Sequence, residues 1–273
     1  MSGSLAGLLL ESLRLAPPSD PPRLARRWAS AEVAARAGGI AAWIAWERAE
    51  QWLLRRLADG GALAAAPSAL VAVLQQAARR DAKAGLAVDA DAADALRAIA
   101  ALGVPCVLLK GPARRARADQ LPLADARLTR DVDVLVPAAE SERLWWHFRS
   151  RGYLPYEYDP ARLPPGESEV QGPSPYHLRA LLRPGGATLE LHVTTERGLS
   201  PARAWDRLWS GARIVRWQGM DVRVPSFTEL LWQALTHADV AGSAGWSLRH
   251  WLDAASVIAA QPVDWAEVAA RID

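Results

Sequence analysis

The spacing of apolar residues predicts that the first hundred residues are helical. In "IAAWIAWERAEQWLLRRLA" (40–58) apolar positions recur at helical spacing, and Pro- or Gly-rich stretches such as "APPSDPPR" separate one helix from the next. The segment "DADAADALRAIAALG" predicts another helix, which begins in acidic residues at Asp89 and ends at Gly103. Residues 1–103 are therefore predicted to form an N-terminal helical region.

From Val104 onward the apolar pattern becomes that of short strands. The predicted strands are "VPCVLLKG", "RDVDVLVP", a hairpin "YHLRALLRPGGATLELHVT" and a strand pair "ARIVRWQGMDVRVP", with the helix "AAESERLWWHFRSRGY" between the second strand and the hairpin. This order predicts an α/β (α+β) fold, a small mixed sheet at 104–225 flanked by helices. Residues 226–273 are predicted to be a C-terminal helical region. Its last helix is either very short or truncated at Asp273.

Composition narrows the function classes. The chain has 273 residues, 51% of them hydrophobic, which suffices for a large core. Its formal net charge is +2 and no Lys/Arg tract with interleaved aromatic residues is present, so a nucleic-acid partner is unlikely. The single cysteine, Cys106, excludes a disulfide within the chain. The N-terminus lacks the basic start of a secretory signal, and no apolar run approaches the roughly 18 residues of a membrane span, so we expect a cytoplasmic protein without membrane contact.

Two strands carry acidic residues on the face opposite their apolar side chains. In "RDVDVLV" Asp131 and Asp133 alternate with valines, and in "ATLELHV" Glu190 and His192 alternate with leucines. If both strands lie in one sheet, the three carboxylates converge. Such a set repels itself, and a hard divalent cation such as Mg²⁺ resolves the conflict. An Asp-x-Asp pair by itself often only binds arginine or caps a turn.

The order of five segments resembles a known family. The segments are "VLLKG" (107–111), "RLTRDVDVLV" (127–136), "LELHV" (189–193), "ELLWQALTHA" (229–238) and "WLDAASVI" (251–258). Together they resemble the uncharacterised nucleotidyltransferase family of the DNA polymerase β-like superfamily, which carries Lys-Gly where better-known members carry Gly-Ser. The resemblance extends from Val104 to the C-terminus.

This resemblance implies a Mg²⁺-dependent nucleotidyltransferase. Asp131 and Asp133 would ligate metal bound to a nucleoside triphosphate, with two Mg²⁺ ions expected and Mn²⁺ as the alternative. Glu190 would be the third carboxylate, a ligand of the catalytic metal and an aid to deprotonation of the acceptor. A hydroxyl of an unidentified small molecule, peptide or protein would attack the α-phosphorus, and pyrophosphate would leave.

The same resemblance suggests nucleotide contacts. Gly111 lets the backbone approach a phosphate, although Pro112 removes one amide donor. Lys110 either neutralises triphosphate charge or extends to solvent as a strand-end lysine. Arg127 either binds phosphate or pairs with the aspartates. His192 either orients a ligand or is a hydrogen-bonded structural residue.

The remaining polar residues suggest supporting roles. His237 and Asp253 are expected to tie the C-terminal helices to the sheet. His147 and His250 are expected to be packing or surface residues. The Pro-rich stretch at 155–175 suggests an acceptor-side flap, because long loops are often functional.

A second function, of a different class, remains open. Pro112 and the 13 tryptophans are also compatible with a catalytically inactive binding protein on the same fold, such as a toxin–antitoxin or biosynthetic-cluster partner. A template-independent RNA or tRNA modifier is disfavoured by the near-neutral charge.

Overall fold

The computed structural model describes residues 4–126, 129–156, 168–172, 174–240, 248–260 and 262–272. The helices are α1 (Leu5–Leu13), α2 (Pro21–Trp28), α3 (Ala31–Trp46), α4 (Glu50–Asp59), α5 (Ser68–Ala101), α6 (Lys110–Arg115), α7 (Ala138–Ser150), α8 (Pro201–Gly211), α9 (Phe227–Val240), α10 (Leu248–Ala260) and α11 (Trp265–Ala269). The strands are β1 (Val107–Leu108), β2 (Asp131–Leu135), β3 (Leu154–Pro155), β4 (Leu181–Leu182), β5 (Thr188–His192), β6 (Arg213–Trp217) and β7 (Met220–Val224).

Five of these strands form one mixed sheet in the order β1-β2-β5-β4-β3. β2 and β5 pair in parallel at its centre, while β1, β4 and β3 join antiparallel to their neighbours. The strands β6 and β7 form a separate two-stranded hairpin. A small mixed sheet flanked by helices, as the sequence predicts, is confirmed.

Apolar alternation explains why β2 and β5 occupy the centre of the sheet. Val132 and Val134 from β2, and Leu189 and Leu191 from β5, are buried in one hydrophobic cluster with residues of α5, α7 and α9. The hairpin that brings β4 beside β5 turns at Gly185, whose φ of +73° is a conformation that glycine adopts without a steric cost. One face of each central strand is thereby fixed in the core, and the other face is left for polar residues.

The long helix α5 corrects one expectation. A helix was predicted to begin at Asp89, but α5 begins at Ser68 and runs for 34 residues. The acidic residues lie within the helix because they bind basic partners from other elements: Asp89 accepts two hydrogen bonds from Arg115, and Asp91 accepts one from Arg183.

Helix α5 also connects two hydrophobic clusters. Leu70 and Leu74 pack with helices α1 to α4, whereas Leu96 and Ile99 pack against the main sheet. The first hundred residues are helical, as expected. Because α5 contributes to both clusters, the division of the chain at residues 103 and 225 stays a prediction.

The C-terminal helices contact the short helix α6. Arg114 of α6 donates a hydrogen bond to the Asp253 carbonyl of α10 at 3.0 Å, and both residues are buried. Asp253 thus ties α10 to the element that follows β1. The last helix, α11, has five residues. No helix in the described part of the chain is long and apolar enough to cross a membrane.

We expect the buried ion pair between α5 and α6 to be a major contributor to stability. Arg115 Nε lies 2.8 Å from Asp89 Oδ1, and both side chains are buried or nearly so. Asp89→Ala leaves a guanidinium without its carboxylate in a dry environment, so we expect a loss of about 3–5 kcal/mol in the free energy of unfolding, measured by urea denaturation.

The matched control for this variant is Asp221→Ala. The Asp221 carboxylate pairs with Arg216 on the exposed hairpin, where both side chains are 69% exposed. Water screens that pair, so its removal should cost less than about 1 kcal/mol. Equal losses in the two variants would contradict a special contribution from the Asp89–Arg115 pair.

Candidate functional site

The parallel pairing of β2 and β5 brings acidic residues from two distant segments together. Asp133 lies opposite Glu190 in the register, and both face away from the leucines and valines of the core. His192 Nε2 lies 2.9 Å from Asp133 Oδ1 and 3.3 Å from Glu190 Oε2. One ligand atom from each of these three residues lies within 4.8 Å of the ligand atoms of the other two.

A lysine inserts its ammonium group into this acidic cluster. Lys110 Nζ lies 2.6 Å from Asp133 Oδ1 and 3.6 Å from Glu190 Oε2. Lys110 is the first residue of α6 and has a φ of +47°, a left-handed conformation that costs a non-glycine residue about 1–2 kcal/mol. The position that carries glycine in better-known members of the superfamily is therefore one where the backbone favours glycine.

These contacts correct one of the alternatives for Lys110. The ammonium does not extend to solvent as a strand-end lysine, since it is held between the two carboxylates. The mutually repelling carboxylates of β2 and β5 thus already have a counter-ion within the chain.

The protonation states of the cluster follow from its contacts. Burial alone would raise the pKa of the Asp133 carboxyl, but Lys110 and His192 together hold that pKa well below its usual range. For Glu190, burial again opposes ionisation, and the hydrogen bond from His192 and the charge of Lys110 leave the pKa lowered. Burial would lower the pKa of Lys110, yet the two carboxylates raise it. Asp133 and Glu190 are therefore ionised and Lys110 is charged.

His192 is positioned as an imidazolium. Its Nε2 faces the two carboxylates, and its Nδ1 lies 3.4 Å from the carbonyl oxygen of Thr194. Carboxylates and carbonyls only accept hydrogen bonds, so both ring nitrogens must donate. Burial and Lys110 lower the pKa of His192, but the hydrogen bonds to Asp133 and Glu190 outweigh them and raise it.

The other residues predicted for the site lie at different distances from the cluster of Asp133, Glu190 and His192. Asp131 lies two residues before Asp133 on the same face of β2 and lines the adjoining pocket, outside the group of three close ligand atoms. Gly111 is buried in the first turn of α6, followed by Pro112. Arg127 lies outside the described residues.

A pocket of about 210 Å³ opens beside the cluster. Its walls come from the start of α6, from β2 and β5, from the segment before β4 and from α9; the lining residues are Leu109, Lys110, Asp131, Ser174, Tyr176, His177, Glu190, His192, Thr195, Gln233 and Thr236. Most of the polar residues outside the strands were not identified by sequence reasoning.

His177 is the clearest of these missed residues. Its Nδ1 lies 2.6 Å from the carbonyl oxygen of Leu178 and so donates a hydrogen bond to it, while Nε2 lies 3.6 Å from Glu190 Oε2. Burial lowers the pKa of His177, and the neighbouring His192 lowers it further. A neutral His177 presents an unprotonated Nε2 beside Glu190.

The composition contains a second signal for Lys110, beside the Lys-Gly motif. The chain has only two lysines, Lys83 and Lys110, among many arginines. A compact ammonium fits between two closely spaced carboxylates where a planar guanidinium does not. For His177 no comparable signal exists, because it reaches the site from a loop.

Among the described residues, those predicted to have supporting roles do not line the pocket beside the acidic cluster, although His250 and Asp253 line a smaller cavity next to Lys110. Asp253 joins α10 to α6 as described, and His250 is buried on the same helix. His147 lies on α7 against Phe148. His237 belongs to α9, but its side chain lies outside the described part of the chain, as does most of the Pro-rich stretch at 155–175.

The donor set suits a hard divalent cation. Asp133 and Glu190 offer carboxylate oxygens in one small volume, and the Lys110 ammonium already stands there as a cation. Carboxylate oxygens are the ligands that Mg²⁺ and Mn²⁺ prefer. His192 adds a ring nitrogen to the same group of ligand atoms.

Comparisons with known proteins agree with the sequence motifs. The profile of the family described as uncharacterised nucleotidyltransferase matches residues 34–273. This match begins well before Val104, so the family extends into the N-terminal helices, where the motifs alone gave no sign of it. No curated protein matches the chain significantly.

Among solved structures, the chain is similar to the antibiotic-resistance factor ANT(2'')-Ia. The two share 16% sequence identity with a TM-score of 0.44, over 64% of this chain and 84% of that one. This likeness is too distant to carry an argument. The family match covers most of the chain, and the resemblance inferred from the five segments is confirmed: the chain is a transferase enzyme that belongs to the uncharacterised nucleotidyltransferase family.

Proposed function

We propose that the protein transfers a nucleoside monophosphate from a nucleoside triphosphate to a hydroxyl of an acceptor, with Mg²⁺ held by carboxylates of β2 and β5. The observation that carries this proposal is the register of Asp133 against Glu190, with a cation already between them. Bound metal would neutralise phosphate charge and polarise the α-phosphorus. Mn²⁺ is the alternative ion.

Asp131, Asp133 and Glu190 are the proposed metal ligands. Asp133 and Glu190 place their carboxylates close together, and Asp131, two residues earlier on β2, lines the adjoining pocket. His192 donates to both inner carboxylates and fixes their orientation, as partners behind metal ligands commonly do.

Lys110 has two successive tasks in this proposal. Before metal binds, its ammonium neutralises the buried Asp133 carboxylate. If Asp133 instead held a metal ion, the Lys110 ammonium, which lines the pocket, would be free to neutralise charge on the triphosphate. Gly111 follows it in the chain and gives the phosphates close access to the backbone, and we keep Arg127 as a further proposed phosphate contact.

Deprotonation of the acceptor hydroxyl is assigned to the pocket wall that bears Glu190. Glu190 Oε2 and His177 Nε2 lie 3.6 Å apart, and both atoms accept hydrogen bonds in the protonation states derived above. A hydroxyl within hydrogen-bonding distance of both atoms can pass its proton to Glu190 as its oxygen attacks phosphorus and pyrophosphate leaves. Positioning and charge neutralisation then supply most of the rate enhancement.

The test is calorimetric titration of the four nucleoside triphosphates into the protein with Mg²⁺ and with Mn²⁺. The double variant Asp131→Asn with Asp133→Asn should lose metal-dependent binding of the triphosphate, because amides replace the anionic oxygens. Unchanged binding in this folded double variant refutes the proposed site. Circular dichroism monitors folding, and Asp131→Asn alone, which leaves the Lys110–Asp133 pair intact, serves as the milder variant.

The same titration distinguishes the proposed transferase from the second candidate function. The inactive binding protein, a partner in a toxin–antitoxin pair or biosynthetic cluster, predicts no binding of any triphosphate to the wild-type protein. The intact acidic cluster favours the enzyme.

A further inference from the structure

Three polar atoms without partners converge on the pocket beside the acidic cluster. The hydroxyl oxygens of Tyr176 and Thr195 and the amide nitrogen of Gln233 are buried and have no hydrogen-bond partner among the described protein atoms. All three residues line the pocket, and Tyr176 and Gln233 are 9% and 8% exposed. We call them the uncharged wall.

Leaving such groups unpaired is costly, which indicates a ligand. A buried polar group without a partner costs about 1–3 kcal/mol, and proteins satisfy nearly all of them. Three such unpaired groups belong to residues that line the same pocket. The pocket is open enough to admit a molecule that supplies the missing hydrogen bonds.

The orientation of Gln233 is set by the backbone amide of Lys110. The Lys110 amide donates to Gln233 Oε1 at 3.3 Å, so the Gln233 side chain presents its NH₂ group to the pocket. The uncharged wall therefore offers one fixed donor and two hydroxyls that donate or accept. It carries no ionised group, and so it suits a neutral part of a ligand.

We propose that the uncharged wall binds the nucleoside part of the triphosphate and sets its selectivity. This inference rests on the proposed function. The nucleoside is joined to the α-phosphate, which must lie at the carboxylates, and Gln233 reaches the same end of the pocket through Lys110. The rings of Tyr176 and His177, which line the pocket, supply an aromatic surface for a flat base. Amide and hydroxyl side chains read the edges of bases.

The test compares nucleotides with a ligand that has no nucleoside. Tyr176→Phe and Thr195→Val each remove one oxygen that bonds to no described protein atom, so both variants should keep their fold. Calorimetric titrations with Mg²⁺ use α,β-methylene analogues of the four ribonucleoside triphosphates and inorganic tripolyphosphate. Each variant should bind the preferred nucleotide about 3- to 10-fold more weakly, while its affinity for tripolyphosphate stays that of the wild type.

Tyr153→Phe is the matched control, because Tyr153 is equally buried but lies away from the pocket. It should bind both ligands as the wild type does. Nucleotide binding unchanged in Tyr176→Phe and Thr195→Val would overturn this inference, leave the proposed function standing and assign the uncharged wall to the acceptor. Equal weakening of nucleotide and tripolyphosphate would also overturn it. A wild-type protein that binds neither ligand would overturn both proposals together.

Discussion

Lys110→Met should produce a protein that depends on a divalent cation for its stability. The variant leaves the Asp133 carboxylate, which is 1% exposed, without its nearest cation. Without metal we expect the free energy of unfolding to fall by about 2–4 kcal/mol, since His192 still donates to Asp133. This corresponds to a drop in melting temperature of about 5–15 °C.

Added metal should reverse this loss. In the wild type an incoming ion competes with the Lys110 ammonium for the same oxygens, whereas in the variant it meets no competitor. We therefore expect Mn²⁺ alone to bind the variant about tenfold more tightly, equivalent to about 1.4 kcal/mol, and to raise its melting temperature far more than that of the wild type. Thermal unfolding with EDTA or Mn²⁺, together with titration of Mn²⁺ followed by electron paramagnetic resonance, measures both effects.

The control for this variant is the other lysine. Lys83→Met removes the same charge from an exposed position of α5. Its stability and Mn²⁺ affinity should match those of the wild type. If Mn²⁺ binds Lys110→Met no more tightly than it binds wild type, then lysine and metal do not share the site.

Glu190→Gln should abolish transfer while nucleotide still binds. The amide occupies the same space as the carboxylate but neither takes a proton from the acceptor hydroxyl nor neutralises metal charge. Loss of a positioned base typically costs 10²–10⁴ in rate, so we expect pyrophosphate release from the bound triphosphate to fall by about that factor. The dissociation constant of the Mg²⁺–triphosphate complex should change by less than about threefold, because Asp131 and Asp133 remain.

Pyrophosphate release with water as the acceptor makes this measurement independent of the unknown natural acceptor. Glu140→Gln on α7, where the side chain pairs with Arg143, should leave the rate unchanged. A fall of less than tenfold in Glu190→Gln would exclude Glu190 from the chemical step and transfer the task of base to His177.

The convergence of the carboxylates could be predicted because a strand has a period of two. Once Val132 and Leu189 are assigned to the core, Asp133 and Glu190 must occupy the opposite face, and parallel pairing places them side by side. The mixed sheet and its hairpins follow from the same alternation together with turn glycines. These features depend on local patterns that sequence displays directly.

The environment of Lys110 could not be predicted in the same way. Its ammonium reaches Asp133 because the backbone at residue 110 is left-handed, and a lysine gives no sequence signal for that conformation. The uncharged wall was missed for a related reason. Tyr176, Thr195 and Gln233 come from a loop before β4, a loop after β5 and α9, and each is unremarkable in its own segment. Only tertiary packing makes them neighbours.

The parallel register of β2 and β5 has a consequence for how this enzyme family can diversify. The segment between the two strands, which includes α7 and the hairpin strand β4, can change in length without changing how the residues of β2 and β5 pair. Insertions there can remodel what enters the pocket without moving either carboxylate. A single-residue deletion inside β5, by contrast, would turn Glu190 toward the apolar side and separate it from Asp133 in one step. New acceptor specificities are therefore accessible through the connecting loops, while the centre itself tolerates almost no change in length.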